Sequence, residues 1–346
     1  MIPRSVDNSN GPLRGRTRRA VLLEHFDTSG TLRYALLGAL LVLLLVLPSL
    51  LGTNYLIRVA VQAGFYIILA LGLNIVVGYC GLLDLGYVAF YAIGAYTYAF
   101  LASPHFGLHL PFWAILPLAA AFPAVLGVIL GTPTLRLRGD YLAIVTLGFG
   151  EMIRLLLNNM DRVTNGPKGI SNIDPISLAG YELRSPRQFY YLVLFFVVVF
   201  VLAISRLVYS RVGRAWAAVR EDEEAARAMG LNTHSLKLRA FASGAAFAGV
   251  AGCLFAGFQG FASPESFTFG ESVIIFCMIT LGGMGSIPGV IVGAVTLVVL
   301  PEILRPIAEY RMLIYGLLLI VMMVTRPQGL WPSRQRSREL LERGEA

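Results

Sequence analysis

The chain is divided into repeated apolar segments whose lengths lie near the roughly 20 residues that an α-helix needs to cross a bilayer. Hydrophobic residues make up 56% of the 346 residues and charged residues only 14%, whereas a soluble domain carries about 25% charged residues. The sequence therefore predicts an all-α integral membrane protein, a polytopic helical bundle of about ten transmembrane segments, some short or broken. Their expected bounds are 34–51, 56–78, 82–102, 112–130, 141–157, 189–208, 239–261, 272–284, 287–301 and 312–325.

The distribution of Lys and Arg predicts how these segments are oriented. Most of the 28 basic residues lie in three regions: near the N-terminus, in 206–239 and beyond the last apolar segment. The ten predicted spans place these three regions on the same side of the membrane. Cytosolic loops carry an excess of Lys and Arg, so both termini are expected in the cytosol. The predicted organisation is a disordered basic tail (1–33), a transmembrane domain (34–326) and a cytosolic tail (327–346). Because the basic residues flank apolar segments rather than forming one face, the net charge of +8 does not indicate nucleic-acid binding.

One charged stretch, 209–238, interrupts the apolar pattern on the predicted cytosolic side. Residues 215–229 are rich in helix-forming types, Gly230 stands where a C-terminal cap belongs, and Asn232 or Thr233 can cap the next helix. An apolar stripe runs along the predicted helix beside a charged block. A solvated loop is the alternative, but the stripe and the caps favour a helix that docks on a soluble partner. The stripe comprises Trp216, Val219, Ala226 and Met229, and the block comprises Glu221, Asp222, Glu223 and Glu224.

Ionisable residues inside predicted spans are costly in lipid and are therefore candidates for function. Glu151 lies about 15 Å beyond Tyr141, near mid-bilayer, and Arg154 follows three residues later on the same helical face. These two residues form either a structural ion pair or a polar contact that lines a solute path. Asp84 is expected near the cytosolic end of its span, where hydration is easy and a structural role is favoured.

Glycines mark places where helices are expected to approach closely. Gly86 follows Asp84, and a second group lies between the eighth and ninth segments. The stretch 272–301 is predicted either as a tight hairpin of two short spans or as one broken span. Broken backbone at membrane depth is tolerated only inside protein or beside water, so this junction is a candidate part of the path, with close helix packing as the alternative. Its glycines are Gly282, Gly283 and Gly285.

Neither catalysis nor a resident cofactor is indicated. The four histidines are scattered and the three cysteines lack CxxC spacing, so no metal site is expected. The chain has no HExxH, no GxSxG beside a span and no GxxxxGK[ST] loop for ATP. An ion-coupled secondary transporter of small polar solutes, using Glu151 or Asp84, stays open as an alternative. The charged helix favours a transporter driven by a separate ATPase, because a secondary carrier has no need of a docking element.

Four separated stretches resemble the permease subunits of branched-chain amino acid ABC importers, most closely the LivM type. The resemblance covers about residues 55–332. Many relatives carry a small polar residue where this chain has Asp84, so branched-chain amino acids, other amino acids, urea and short amides all stay open as substrates. The stretches are GYCGLLDLGYVAFYAIGAY at 78–96, VGRAWAAVREDEEAARAMG and its continuation at 212–256, ITLGGMGSIPGVIVGA at 279–294, and RMLIYGLLLIVMMVTRPQGLW at 311–331.

The resemblance implies a multi-pass subunit of a bacterial inner-membrane importer that is not itself an enzyme. A second permease subunit would complete the translocation path, two cytosolic ATPase subunits would bind the ATP, and an external or periplasmic binding protein would deliver solute. The turn-rich external loop 158–188 is either a docking surface or a plain connection. Residues 215–230 would be the coupling helix that lies on one ATPase. The residues implied in coupling are Trp216, Val219, Arg220, Glu221, Asp222, Glu223, Ala225, Ala226, Met229 and Gly230.

Overall fold

The computed structural model describes residues 30–303, apart from 51, 105, 136, 138 and 179–180, together with 316–317, 320 and 329–331. The described chain is mainly helical, as predicted. Its helices are α1 (Gly30–Leu50), α2 (Asn54–Asn74, continued by a π-helical turn Ile75–Tyr79), α3 (Val88–Leu101), α4 (Phe112–Thr134), α5 (Asp140–Asn159), α6 (Asp161–Thr164), α7 (Pro186–Val208), α8 (Arg211–Glu221), α9 (Glu223–Ala228), α10 (Thr233–Gln259), α11 (Phe269–Gly282) and α12 (Ile287–Ile303). Its strands are β1 (Ile170–Ser171), β2 (Ser177–Leu178), β3 (Tyr181–Glu182) and β4 (Phe261–Ala262).

Five helical segments of the described chain are long and apolar enough to cross a membrane. Helices α3 and α12 are apolar but have only 14 and 17 residues. The predicted count of about ten spans is therefore not established, and most of the tenth, 312–325, lies outside the described residues. The five segments are Asn54–Tyr79, Phe112–Thr134, Pro186–Val208, Thr233–Gln259 and Pro264–Gly282.

The chain divides into two compact units. Helix α1 belongs to a unit that ends at Gly52, and every later element belongs to a unit that begins at Thr53. Helix α1 is an apolar helix of 21 residues that begins at Gly30, earlier than the predicted boundary of the tail. The rest of the predicted N-terminal tail, and the predicted C-terminal tail except 329–331, lie outside the described residues.

Helix α10 is the central element of the second unit. It packs along α3 and α4 and also contacts α2. The approach to α3 is so close that a Cβ atom on Gly94 would lie 2.1 Å from the carbonyl oxygen of Gly249. A side chain at Gly94 would push α3 away from α10, and a Cβ atom on Gly249 would lie 2.0 Å from the carbonyl oxygen of Ala119 in α4, so small residues set both crossings. By contrast, α4 and α7 turn most of their apolar surface outward, as helices that face lipid do.

The two ends of α10 define two ends of the second unit. Its first turn follows α9, and its last residue leads into β4, which pairs with β1 of the loop 158–188. A helix of 27 residues is about 40 Å long, so the charged stretch 209–238 and that loop lie at opposite ends. We call them the α8 end and the strand end. The described C-terminal residues lie at the α8 end, since the N–H of Trp331 donates to the carbonyl of Gly282 at 3.0 Å.

The predicted third span, 82–102, is helical only from Val88 onward. The preceding residues 80–87 form a non-helical segment that is nevertheless largely buried, with Gly81 exposed. Its backbone polar groups find side-chain partners on neighbouring helices. Leu85 N donates to Thr146 Oγ1 of α5, and Val88 N donates to Ser272 Oγ of α11, both at 3.1 Å. Hydrogen bonds of this kind are what broken backbone inside an apolar bundle requires.

Candidate functional site

The charged stretch folds as two short helices, α8 and α9, rather than the single helix predicted over 215–229. The backbone leaves the helical region at Asp222, where φ is −152° and ψ is 111°. The Asp222 carboxylate accepts hydrogen bonds from the backbone N–H groups of Glu224 and Ala225, at 2.8 and 3.0 Å, and so caps α9. Helix propensity alone missed this break, because an Asp side chain that bonds the following backbone competes with a continuous helix.

Both predicted caps at the end of this stretch are present. Gly230 adopts a left-handed conformation, with φ of 85°, just beyond α9. Asn232, rather than Thr233, caps α10, since its Oδ1 accepts from the N–H of Ser235 at 3.0 Å. The connection between α9 and α10 is therefore a defined turn.

The apolar stripe of this segment faces its own chain. Trp216, Val219 and Ala226 are all buried, and the indole N–H of Trp216 donates to the carbonyl of Leu236 at 2.8 Å. Met229 is different, because it is 84% exposed. The stripe thus attaches α8 and α9 to the bundle, and a different set of residues is left exposed for contact with any partner protein. Between Glu221 and Gly230 the exposed residues are Glu221, Asp222, Glu224, Ala225, Arg227, Ala228, Met229 and Gly230.

Glu223 connects α9 to the first turns of α10. Its carboxylate lies 2.6 Å from Nζ of Lys237, whose side chain is 7% exposed, and 3.1 Å from Arg227. Removing one partner of such a pair leaves a charge buried without compensation. From the sequence, Glu223 was predicted to lie in a charged block that docks on a partner, and Lys237 was not singled out, although a lone lysine at the start of a long apolar helix was a signal for it.

Five residues form a compact junction where α8 meets the ends of the membrane helices, and we call it the α8 junction. Its members are Asn74, Gly78, Gly81, Arg220 and Gly285. Arg220 Nη1 donates to the carbonyl of Gly78 at 2.5 Å, and the N–H of Gly285 donates to Asn74 Oδ1 at 2.9 Å. The junction therefore joins α8, the end of α2 and the turn between α11 and α12.

The α8 junction lies on the π-helical turn that ends α2. Turns of this type are often found at functional sites, and the last carbonyls of a helix lack partners within it. Arg220 supplies one such partner, and its cation also suits the negative end of the helix dipole. Asn74 is fully buried, and its Nδ2 has no hydrogen-bond partner among the described residues. Asn74 was not predicted as a site, although an amide inside an apolar span was a usable signal.

The stretch 272–301 forms a tight hairpin of two helices, α11 and α12. A Cβ atom on Gly282 would lie 2.2 Å from the carbonyl of Gly289, and one on Gly293 would lie 2.1 Å from that of Met278. Of the two predicted alternatives, the hairpin is the one observed. Its glycines allow close packing, and Gly283 and Gly285 form the turn with φ of 117° and 80°.

Asp84 is not in the hydrated position expected from the sequence. It is 1% exposed within the segment 80–87, its Oδ1 accepts from the N–H of Gly86 at 2.9 Å, and its Oδ2 has no partner among the described residues. Gly86 lets this segment touch α5, since a Cβ there would lie 1.9 Å from the carbonyl of Thr146. The structure thus brings Asp84 and Gly86 to the helix that bears Glu151, while Gly285 of the hairpin turn lies in the α8 junction.

Glu151 and Arg154 form an ion pair in the middle of α5, with nitrogen–oxygen distances of 2.8 and 2.9 Å. Both side chains are about one-third exposed. The same helix exposes large apolar side chains, including Ile144 and Met152. This face of α5 therefore carries both apolar surface and charge.

The strand end holds a cleft of about 380 Å³ that the sequence analysis did not predict. His109 Nδ1 lies 2.5 Å from Asp174 Oδ2, which ties the loop before α4 to the loop 158–188. The hydroxyl of Tyr98 donates to the carbonyl of Asp174 at 3.1 Å. No cluster of His, Cys, Asp and Glu that could hold a metal ion occurs in the described part of the chain, and His105 lies outside it.

Comparison with known proteins agrees with this architecture. Residues 55–323 match the family model for the permease component of branched-chain amino acid transport systems. The chain belongs to this family. The permease is 47% identical to the high-affinity branched-chain amino acid transport system permease protein LivM of Salmonella typhimurium, over 96% of this chain and 81% of that protein.

Two further relatives extend the comparison. LivM of Escherichia coli is 48% identical over 90% of the permease and 78% of its own length. LivH of Escherichia coli, also a high-affinity branched-chain amino acid transport system permease protein, is 36% identical over 35% of this chain and 40% of its own. No solved structure matches the permease.

Proposed function

We propose that this chain is a permease subunit of an ABC importer and forms, with a second permease subunit, the translocation path for branched-chain or related small amino acids. Two cytosolic ATPase subunits drive it, and an external binding protein supplies solute. The observation that carries the proposal is the pair α8–α9, which presents an exposed, largely charged surface while its buried face is fixed to span ends by Arg220 and Glu223.

The attachment of α8–α9 favours an ATPase-driven importer over an ion-coupled carrier. A secondary carrier works through the membrane spans alone and needs no rigid docking element outside them. An importer driven by separate ATPases must pass force through a contact outside the membrane. Helices α8 and α9 suit that purpose, because a buried Trp216 and a nearly buried Lys237 hold them in place.

The exposed face of α5 supports a second permease subunit. Charged side chains facing hydrocarbon are expensive and ordinarily face protein or water. The Glu151–Arg154 pair is one-third exposed in the middle of α5, so a protein neighbour or an aqueous path must complete its surroundings. Both LivM and LivH relatives exist as separate permease proteins, and we place the partner permease against this face.

The proposed substrate class is supported by the relatives, which are named as permeases of branched-chain amino acid transport systems. The excess of Lys and Arg in 206–239 supports placing the α8 end in the cytosol. The strand end, with its cleft beside Asp174, then faces the binding protein.

The test is reconstitution of the whole transporter. The tagged permease is co-expressed with the genes that adjoin it, purified and placed in liposomes, and uptake of radiolabelled leucine is measured with the binding protein present. We expect an ATPase to copurify and leucine uptake to depend on ATP. Uptake that follows an imposed proton or sodium gradient and ignores ATP would contradict the proposal.

A further inference from the structure

We propose that Arg220 transmits movement of the coupling segment to the membrane helices by holding their ends, rather than by contacting the ATPase. This inference rests on the proposed function, and it deepens that function by naming the residue that links α8 to the spans. The family resemblance only groups Arg220 with residues on the ATPase side. In the structure, Arg220 instead contacts the end of a membrane helix.

Arg220 is directed inward. It is half-buried, and its guanidinium donates a hydrogen bond to the carbonyl of Gly78, in the turn that ends α2. No ion pair joins Arg220 to a carboxylate within the described part of the chain. A planar guanidinium that bonds a terminal helix carbonyl is held by both hydrogen bonding and the helix dipole.

The Arg220 side chain fills a slot between two glycines. A Cβ atom on Gly81 would lie 2.9 Å from Arg220 Cγ, and one on Gly285 would lie 3.2 Å from Nη1. Both glycines also have positive φ, of 74° and 80°, so side chains are disfavoured there on two counts. Movement of α8 by an ångström or so must therefore displace these backbone segments or break their contacts with Arg220.

The two glycines lead directly into the irregular parts of the bundle. Gly81 lies in the non-helical segment that carries Asp84, and Gly285 lies in the turn of the α11–α12 hairpin. Gly78 is the end of α2, which Asn74 ties to Gly285. Through one side chain, α8 is thus in contact with three membrane elements.

Two other arginines of α8–α9, Arg214 and Arg227, bind within the charged stretch itself. Arg214 Nη1 donates to the carbonyl of Tyr209 at 3.0 Å, and Arg227 pairs with Glu223. Arg214 lies on the same helix as Arg220 and is exposed. It is therefore the matched control for loss of an arginine from this segment.

The experiment compares Arg220→Ala, Arg220→Lys and Arg214→Ala in the reconstituted transporter, with leucine as the probe. For Arg220→Ala we expect normal ATPase copurification and sustained ATP hydrolysis, but leucine moved per ATP reduced at least about tenfold. Arg220→Lys keeps a cation and one donor and should recover part of the loss. Arg214→Ala should stay within about twofold of wild type.

The outcomes separate this inference from the proposed function. Failure of the wild-type complex to bind an ATPase or to use ATP counts against the proposed function. If the wild-type complex works as proposed, a normal ratio of leucine to ATP in Arg220→Ala overturns the inference. Loss of the ATPase from Arg220→Ala also overturns it, since Arg220 would then be a docking residue.

If Arg220→Ala does not give monodisperse protein, Gly285→Ala tests the same contact with Arg220 in place. The added methyl group enters the slot of Arg220, so the same fall in leucine per ATP is expected. A normal ratio in Gly285→Ala overturns the inference.

Discussion

The side-chain oxygen of Asn74 accepts a hydrogen bond from the backbone N–H of Gly285 at 2.9 Å, joining positions 211 residues apart in the chain. It fixes the end of α2 to the turn of the α11–α12 hairpin, beside the point where Arg220 meets Gly78. The α8 junction is therefore built from long-range contacts, and substitutions there should affect stability and coupling separately.

Asn74→Ala should lower the stability of the purified permease. It removes the acceptor for Gly285 and leaves that N–H without its side-chain partner, at a cost of about 1–3 kcal/mol. Thermal unfolding in detergent measures the change. The control is Asn159→Ala, because Asn159 is exposed and its side chain donates to the carbonyl of Leu155, just four residues earlier. Equal effects of the two substitutions would mean that the bond to Gly285 contributes nothing.

Glu151→Gln should reduce the amount of folded permease in the membrane. It leaves the Arg154 cation unpaired in the middle of α5, which the sequence predicts as a membrane span. An Arg at the centre of such a span costs about 2.5–3.5 kcal/mol. Exchange of the two residues, Glu151→Arg with Arg154→Glu, should restore most of the protein. Quantitative immunoblotting of membranes measures both variants. Normal abundance of Glu151→Gln with impaired leucine uptake would instead assign the pair to the solute path.

Ala226→Asp and Met229→Asp should have different effects, although both were predicted to lie on one docking stripe. Ala226 is 5% exposed and faces its own chain, so a carboxylate there should cost several kcal/mol and destabilise the permease itself. Met229 is 84% exposed, so Met229→Asp should leave the fold intact and weaken retention of the ATPase. Thermal unfolding and copurification, measured side by side, distinguish the two effects. Loss of stability in Met229→Asp would contradict the observed exposure.

The two ends of α10 should be accessible from opposite sides of the membrane. Single cysteines at Ser171 and His234, both exposed, are introduced in a background that lacks Cys80, Cys253 and Cys277. An impermeant maleimide applied to whole cells should label position 171 only, and inside-out vesicles should label position 234. Labelling of both positions from one side would refute the orientation derived from the basic residues.

Much of the local structure could be predicted from the sequence. Apolar length located the helices α2, α4, α7 and α10, because hydrophobicity over about 20 residues is a local property. Gly230 was identified as a terminus and Asn232 as one of two candidate caps, because capping depends on residues only a few positions apart. The same holds for Glu151 and Arg154, which meet through the helical repeat alone.

Tertiary structure decided what these elements face. The amphipathic pattern of α8–α9 defined an apolar side but did not say whether that side packs against a partner or against the same chain. In the structure, Trp216 and Ala226 are buried against the chain itself. The buried position of Asp84 depends on α5 and α11, because side chains of these two helices accept hydrogen bonds from the backbone N–H groups near it. The contacts of Arg220 and Asn74 join segments far apart in the chain. Hydrophobic pattern and capping reflect each segment's own residues, whereas these contacts exist only once several helices have packed together.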